Sequence, residues 1–281
     1  MLTNQASTQE VQVLPITHPE NFPVASLLCP PHLRPAIAAI YAFARAADDI
    51  ADEGDLSTDE RLSLLMAFRH ELKEKNEAPA IQADIFLPLH HVIAQFILPV
   101  ELLDDLLKAF EHDIKATAQG TTYTNMQALL GYCQLSANPV GRLLLHLYGV
   151  NDAQALIRSD AICSALQLIN FWQDLSEDIP RGRYYLPQDQ VHKETPLLIK
   201  ELCEHSYQLM MQGAPLVHQV PGRAGWELRL VVQGGLRILE KVKALGPQVL
   251  AKRPRLRAWD FPLMLWRAIW MRPRQWENQQ P

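Results

Sequence analysis

Two groups of carboxylates in this chain occupy positions that an α-helix would align. The first group consists of Tyr41, Arg45, Asp48 and Asp52. These four residues fall within roughly a 60° arc when each residue advances about 100° around a helix. Asp49 lies just beside the stripe, and alanine and isoleucine fill the opposite side. The spacing predicts a helix with one face that carries a tyrosine, an arginine and carboxylates.

A second polar stripe occurs later in the chain. It consists of Gln167, Asn170, Asp174 and Asp178, on a segment otherwise rich in leucine, isoleucine, phenylalanine and tryptophan. The four side chains span roughly an 80° arc of a helix. An Arg-Gly-Arg-Tyr-Tyr turn follows at 181–185. Alone, the first stripe is most simply a solvated acidic face, and the second could equally be a polar patch at the end of a helix. The two together with this turn favour a shared site.

Facing carboxylates repel each other unless a positive charge lies between them. Carboxylate and amide oxygens are the hard ligands that Mg²⁺ prefers, and the metal would stabilise the negative charge of a departing diphosphate. The predicted metal ligands are Asp48, Asp49, Asp52, Asn170, Asp174 and Asp178. Asp49 could instead support a neighbouring ligand, and both alternatives stay open. Arg45, Arg181 and Arg183 could donate to phosphate oxygens.

Helical periodicity dominates the rest of the chain. The predicted helices cover 32–53, 59–75 after a Ser57 or Thr58 cap, 84–96, 100–118, 125–149, 153–178, 195–213 and 224–245. Alternating runs of β-branched residues are nearly absent, so no sheet is expected. Neither a linker nor a solenoid repeat is visible. We predict one all-α domain over 1–281, with a catalytic core at 15–250 and a basic, tryptophan-rich segment at 251–281.

The composition excludes several classes of protein. The net charge of −5 argues against a nucleic-acid binder, which would carry a basic field. The four cysteines are scattered without a paired motif and are expected to be reduced thiols. The start of the sequence lacks a signal-peptide pattern, and no stretch approaches the roughly 20 apolar residues that span a bilayer. We expect a soluble cytoplasmic protein.

The C-terminal segment has a distinct composition. Residues 252–281 hold seven lysines and arginines against two acids, together with four of the six tryptophans. Leu263, Trp266 and Trp270 share one face of a predicted helix. The arginines available for lipid phosphates are Arg267, Arg272 and Arg274. Peripheral contact with the inner membrane surface fits this pattern, and a helix packed on the core with a basic outer surface fits it equally well.

At its acidic stripes the chain resembles the squalene/phytoene synthase family, over about 18–245. The family's two acidic motifs are matched by Asp48 and Asp52 and by Asn170, Asp174 and Asp178, followed by Gly-Arg-Tyr-Tyr-Leu-Pro at 182–187. Asp113 and Tyr123 also fall where relatives carry similar residues. The resemblance implies an isoprenoid-synthase-type helical bundle around a central apolar cavity, in which Mg²⁺ helps to ionise an isoprenoid diphosphate.

The same resemblance implies roles for individual residues. The expected catalytic residues are Asp48, Asp52, Asp174, Asp178, Tyr41 and Arg45. The expected substrate-binding residues are His18, Asn21, Phe22, Arg45, Tyr132, Gln167, Asn170, Arg181, Arg183 and Tyr184. The aromatic candidates for the cavity wall are Phe22, Tyr41, Phe43, Phe171 and Trp172, although core packing is the simpler account of most of them. The side chains that could position a water molecule are Tyr132, Asn138, Gln167 and Gln173.

Three departures from the family pattern narrow the expected reaction. The segment His-Pro-Glu-Asn-Phe at 18–22 replaces a lysine-bearing one, Gln173 replaces an arginine, and Gly234-Gly235 stands where many relatives place a tyrosine. These changes resemble the bacterial hydroxysqualene synthase branch, which supplies hopanoid-type squalene. That branch implies presqualene diphosphate as substrate, capture by water, and neighbouring squalene-pathway enzymes as candidate partners. Head-to-head condensation of two prenyl diphosphates, a non-catalytic assembly factor and a metal-binding bundle without an isoprenoid role remain the alternatives.

Overall fold

The computed structural model describes residues 29–74, 79 and 81–271. Within these ranges the chain forms ten α-helices and no strand, which confirms the all-α prediction. The helices are α1 Arg34–Asp52, α2 Thr58–Glu74, α3 Ala83–Phe96, α4 Val100–Gln119, α5 Met126–Ser136, α6 Asn138–Leu147, α7 Ala153–Asp178, α8 Thr195–Gly213, α9 Gly222–Leu245 and α10 Asp260–Trp270. None of these helices is long and apolar enough to cross a membrane.

Two details of the helix boundaries have a clear local cause. The prediction of one helix over 125–149 was wrong, because the chain turns at Ala137 and resumes in α6, where Pro139 has no backbone N–H to continue the α5 ladder. Ser57, one of the two cap residues predicted, directly precedes α2. Its hydroxyl accepts from the backbone of Glu60 at 3.4 Å, and the Glu60 carboxylate accepts from the backbone of Ser57 at 2.8 Å.

Two hydrophobic clusters hold the helices together. In the first, α1 to α4 pack around Phe43, Phe68 and Phe86, whose ring centroids lie 5.1 to 6.0 Å apart. In the second, α5, α7, α8 and α9 surround Trp172, whose indole N–H donates to Ser206 Oγ at 2.8 Å. Phe43 and Trp172 are both fully buried. Core packing therefore accounts for both of these aromatics.

Gly235 lets α9 approach its neighbours closely. A Cβ atom there would lie 2.6 Å from Leu166 Cδ2 and 3.0 Å from Met210 Cε. Gly234 faces a different side, where a Cβ would lie 3.4 Å from Met264 Cε. Close packing of α9 against α7 and α8 thus accounts for the absence of a side chain at Gly235.

Candidate active site at the ends of two acidic helices

The first acidic stripe occupies the last turns of α1, which ends at Asp52. Carboxylates at this end face the negative pole of the helix dipole, which costs about 0.3–1 kcal/mol each. Arg45 lies one turn earlier and offsets this repulsion. Its guanidinium lies 3.1 Å from Asp48, 2.6 Å from Asp49 and 3.0 Å from Glu53. Arg45 is therefore held among carboxylates at the helix end.

The second stripe occupies the end of α7, which finishes at Asp178. Arg253, from the segment after α9, donates to both carboxylate oxygens of Asp174, with Nη2 at 3.0 Å from Oδ2. Burial raises the pKa of Asp174 even with this partner. Burial and the neighbouring Asp174 charge raise the pKa of Asp178 to about 6, against the opposing effect of Arg183 and Arg181. The end of α7 thus carries negative charge that a further cation would stabilise.

Arg183 joins the two acidic helix ends. Gly182, at φ 78°, takes the left-handed conformation that turns the chain back after α7, and the backbone N–H of Arg183 donates to Asp178 O at 3.0 Å. The guanidinium of Arg183 then reaches α1, with Nη2 2.7 Å from Asp52 Oδ1. It also attracts the Asp178 carboxylate. The two stripes that the sequence predicts to share a site are brought together across this arginine.

Asp113 on α4 adds a further carboxyl group to the cluster. Tyr132 donates its hydroxyl to Asp113 Oδ2 at 2.6 Å. Burial, together with the charges of Asp52 and Asp48, raises the pKa of Asp113 to about 7, against the opposing effects of the Tyr132 hydrogen bond and the Arg183 charge. Asp113 therefore changes its charge near neutral pH, close to the carboxylates of α1.

An aromatic cluster adjoins Asp113. Phe171 and Tyr185 stack with ring centroids 3.9 Å apart and an interplanar angle of 9°. Tyr123 and Tyr132 lie against the same rings. Aromatic faces attract cations by roughly 0.5–2 kcal/mol per well-placed contact. This cluster could therefore stabilise a carbocation that forms beside the acidic helix ends.

A small cavity of about 20 Å³ lies between the aromatic cluster and Arg183. Asp113, Tyr123, Arg183 and Tyr185 contribute to its lining. The hydroxyl of Tyr123 is buried and has no hydrogen-bond partner among the described residues. A cavity of this size, with polar groups in its wall, can hold about one water molecule.

The remaining predicted residues occupy varied positions. Tyr41 on α1 and Gln167 and Asn170 on α7 are half-buried. Arg181 is exposed. Tyr184 is also exposed at the edge of the small cavity, and the neighbouring Tyr185 is the tyrosine that stacks on Phe171. Predicted residues outside the described part of the chain are His18, Asn21 and Phe22.

Two of the four predicted water-positioning side chains are committed to core hydrogen bonds. Asn138 Oδ1 accepts from Ser164 Oγ at 2.9 Å, and both residues are buried. Gln173 Nε2 donates to the backbone carbonyl of Pro254 at 2.8 Å. Neither amide is free to hold a water molecule through these atoms. Tyr132, by contrast, donates its hydroxyl to Asp113, and Asp113 lines the cavity.

The oxygen atoms at the ends of α1 and α7 are of the type that binds Mg²⁺. Among the described residues, no three or more His, Cys, Asp or Glu side chains are already arranged around one metal position. The carboxylates nevertheless gather at two helix ends, where Arg183 and Arg253 neutralise Asp52 and Asp174. The pKa of Asp178 is raised first by burial and then by the Asp174 charge, and Arg183 and Arg181 offset these effects only in part. Oxygen-only donors with excess negative charge are typical of sites for a hard divalent cation.

The sequence profile described as squalene/phytoene synthase matches residues 17–260. The chain belongs to the squalene/phytoene synthase family. It is 39% identical over 176 residues to the hydroxysqualene synthase of Zymomonas mobilis, covering 60% of this chain and 55% of that protein. It is 31% identical over 259 residues to the hydroxysqualene synthase of Rhodopseudomonas palustris, covering 86% of this chain and 85% of that protein.

Solved structures agree with this membership. The squalene synthase HpnC of Alicyclobacillus acidocaldarius superposes with a TM-score of 0.71 at 32% identity, covering 79% of this chain and 88% of that chain. A dehydrosqualene synthase solved in complex with ligand also gives a TM-score of 0.71, at 20% identity over 86% of this chain and 88% of that chain. The second likeness supports the isoprenoid-synthase-type fold of this squalene/phytoene synthase family member.

Sequence reasoning missed the contact of Arg253 with Asp174. This arginine lies 79 positions from Asp174 and follows α9 in a segment whose basic residues suggested a lipid-facing role. Local periodicity cannot find such a pair, since the two residues belong to different elements. Gln173 could have pointed to this contact. Where relatives often carry arginine next to the aspartate, this chain has a neutral residue, so another residue must supply the positive charge beside Asp174.

Proposed function

We propose that this family member is a hydroxysqualene synthase, which converts presqualene diphosphate and water to hydroxysqualene and diphosphate. The observation that carries the proposal is the link from Asp52 through Arg183 to the end of α7, which gathers both acidic motifs around one guanidinium. A diphosphate with its counterions matches this mixture of acids and arginines. The hydroxysqualene synthases among the relatives support the choice of branch.

The first step of the proposed reaction is loss of diphosphate. The bond between the substrate carbon and the diphosphate oxygen breaks, and its electron pair leaves with the diphosphate. Arg45 and Arg183 would donate to the departing oxygens. Mg²⁺, when bound, would supply compact positive charge for the diphosphate. The residues that would hold the metal are Asp48, Asp52, Asn170, Asp174 and Asp178, with Asp49 beside them.

The second step is rearrangement and capture of the carbocation. Phe171, Tyr185 and Tyr132 would face the cation and exclude bulk water from it. One water molecule in the small cavity would then add its oxygen to the cation. We assign its release of a proton to Asp113, because a carboxyl group with a pKa of about 7 can accept a proton near neutral pH.

The departures from the family pattern support termination by water over condensation of two diphosphates. The segment at 18–22 carries Glu20 in place of the lysine that condensing relatives often use to bind phosphate, which fits a substrate with a single diphosphate. The motif aspartates are all present, which argues against a non-catalytic assembly factor. The arginines and aromatic rings around the carboxylates argue against a metal-binding bundle without an isoprenoid role.

Product analysis by mass spectrometry tests the proposal. Purified protein with Mg²⁺ and without nicotinamide is given presqualene diphosphate or farnesyl diphosphate in separate reactions. Formation of a C30 alcohol from presqualene diphosphate alone is the expected result. Coupling of farnesyl diphosphate would instead assign the chain to the condensing branch, and no turnover of either compound would favour the non-catalytic alternative.

A further inference from the structure

Helix α10 buries its one acidic residue and leaves most of its large apolar side chains exposed. Asp260 is fully buried, and its carboxylate accepts from Arg237 and Lys241. Met264 and Ala268 pack beneath the helix. The exposed large side chains of the helix and of the residue before it are Trp259, Phe261, Leu265, Trp266, Ile269 and Trp270. An ordinary surface helix instead places polar residues on its outer side.

The exposed apolar residues form a continuous surface. Phe261, Leu265 and Ile269 follow one another at helical spacing, and Trp266 and Trp270 form the adjacent row with ring centroids 5.3 Å apart. The exposed fractions run from 44% for Trp270 to 64% for Trp259. Monomeric soluble proteins rarely leave such a patch uncovered.

The same surface continues into a cavity of about 510 Å³ between α8, α9 and α10. Trp266 and Trp270 form part of its wall, opposite Tyr207 and Met211 of α8. Leu236 of α9 also lines the cavity. The apolar surface of α10 is therefore both exposed and concave at one edge.

The basic residues near the exposed apolar surface of α10 indicate which kind of partner would bind there. Lys252, Arg255 and Arg257 are exposed in the segment that precedes α10. The guanidinium of Arg257 lies 5.1 Å from the ring of Trp259, and that of Arg255 lies 3.6 Å from the Glu177 carboxylate. Between residues 251 and 271 the only acid is Asp260, which is buried and paired. A second copy of the chain would bring the same positive charges against each other in a symmetric contact. An anionic lipid surface would neutralise them.

We propose that the exposed face of α10 docks onto a bilayer that contains anionic phospholipid, with the helix parallel to the membrane plane. The 11 residues of α10 are far fewer than the roughly 20 that cross a bilayer. Its aromatic and aliphatic side chains enter the boundary between headgroups and acyl chains, where tryptophan is favoured. The neighbouring arginines and lysine contact the phosphates.

Vesicle flotation with the full-length protein tests this inference. Vesicles of phosphatidylcholine, alone or with phosphatidylglycerol, are mixed with the protein in the absence of substrate, so the result is independent of the proposed reaction. We expect binding to the anionic vesicles, weaker binding to phosphatidylcholine alone, and a decrease with added salt. The triple variant Phe261→Gln, Leu265→Gln, Ile269→Gln should lower the partition coefficient by at least about tenfold.

Matched variants keep the test independent of folding. Met66 and Ile157 are each 61% exposed on other helices, and the double variant Met66→Gln, Ile157→Gln should bind vesicles as the parent protein does. Circular dichroism and thermal melting establish that the variants fold. Absence of binding by the parent protein, or equal binding by the folded triple variant, would overturn the inference. A dimer in analytical ultracentrifugation that the triple variant dissociates, without vesicle binding, would assign the face to a second copy instead.

Discussion

Arg253 donates to both carboxylate oxygens of Asp174, although 79 positions of sequence separate the two residues. The preceding residue of α7 makes a second bond to the same segment, since Gln173 donates to the carbonyl of Pro254 at 2.8 Å. The segment before α10 is thereby tied to the end of α7. On this account Arg253 supplies the positive charge that relatives often place at the position of Gln173.

The role of Arg253 can be tested by substitution. Arg253→Gln should lower kcat/KM for presqualene diphosphate by roughly tenfold to hundredfold, because it removes a charged donor from the end of α7. Arg253→Lys should retain part of the activity, since it keeps the charge but loses the planar fork. Steady-state kinetics with detergent-dispersed substrate measures both. Lys252→Gln, at the exposed neighbouring position, serves as the control, and equal activity of all three variants would contradict the assignment.

Substitutions in the acidic stripes should lower kcat far more than a substitution at an exposed acidic residue. Asp48→Asn and Asp174→Asn each remove a carboxylate from the proposed site and should lower kcat at least about hundredfold. Asp59 is exposed in the first turn of α2, so Asp59→Asn should change kcat little. Equal and mild losses for the three variants, in the same assay, would mean that the stripes are only solvated helix faces.

Ionisation of the buried Asp113 carboxyl group should lower the free energy of unfolding at alkaline pH. Its pKa of about 7 in the fold exceeds the value of about 3.9 for an unperturbed aspartate, so the folded protein binds a proton that the unfolded chain releases. Stability is therefore lost as pH rises from about 4 to 7. Asp113→Asn cannot ionise and should raise the free energy of unfolding at pH 8 by about 1–3 kcal/mol, with a smaller gain at pH 5.

Urea unfolding at the two pH values measures this effect. Asp59→Asn again provides the control, because its side chain is exposed. A gain for Asp113→Asn that is the same at both pH values would show that the substitution acts through packing and not through the charge of the carboxyl group.

Two adjacent glycines of α9 should respond differently to alanine. Gly235→Ala places a methyl group 2.6 Å from Leu166 Cδ2 and should destabilise the fold by about 1–3 kcal/mol. At Gly234 the new methyl group meets only Met264 Cε at 3.4 Å, so Gly234→Ala should be neutral or stabilising by up to about 1 kcal/mol. Thermal melting compares the two, and the opposite order would contradict the packing of α9 against α7 and α8.

The sequence predicts periodic features well and contacts between distant elements poorly. The helix over 153–178 matches α7, and both acidic stripes lie where their spacing places them, because helical periodicity is a local property. The break at Ala137 was missed, since hydrophobic spacing continues through it. The bonds of Arg183 to Asp52 and of Arg253 to Asp174 depend on how helices pack, which no local pattern encodes.

The C-terminal helix shows the same limit. The sequence left open whether this helix is exposed or packed on the core. Trp266 and Trp270 are exposed, whereas Leu263 is half-buried and Arg267 is paired with Glu240. The exposed row is formed instead by Phe261, Leu265 and Ile269 together with the tryptophans. The apolar residues of α10 lie nearly all around the helix, so the sequence alone does not select the side that packs on the protein. Arg272 and Arg274 lie outside the described residues.

The central claim is that this site ionises presqualene diphosphate and that water captures the resulting cation. The most direct measurement is turnover of presqualene diphosphate with Mg²⁺ in water labelled with heavy oxygen, followed by mass spectrometry of the product. The account predicts a C30 alcohol that carries the label, because the bond between carbon and the diphosphate oxygen breaks and a water oxygen replaces it. An unlabelled alcohol would show that phosphorus, and not carbon, was attacked, and a hydrocarbon product would show that water does not end the reaction; either result would contradict the account.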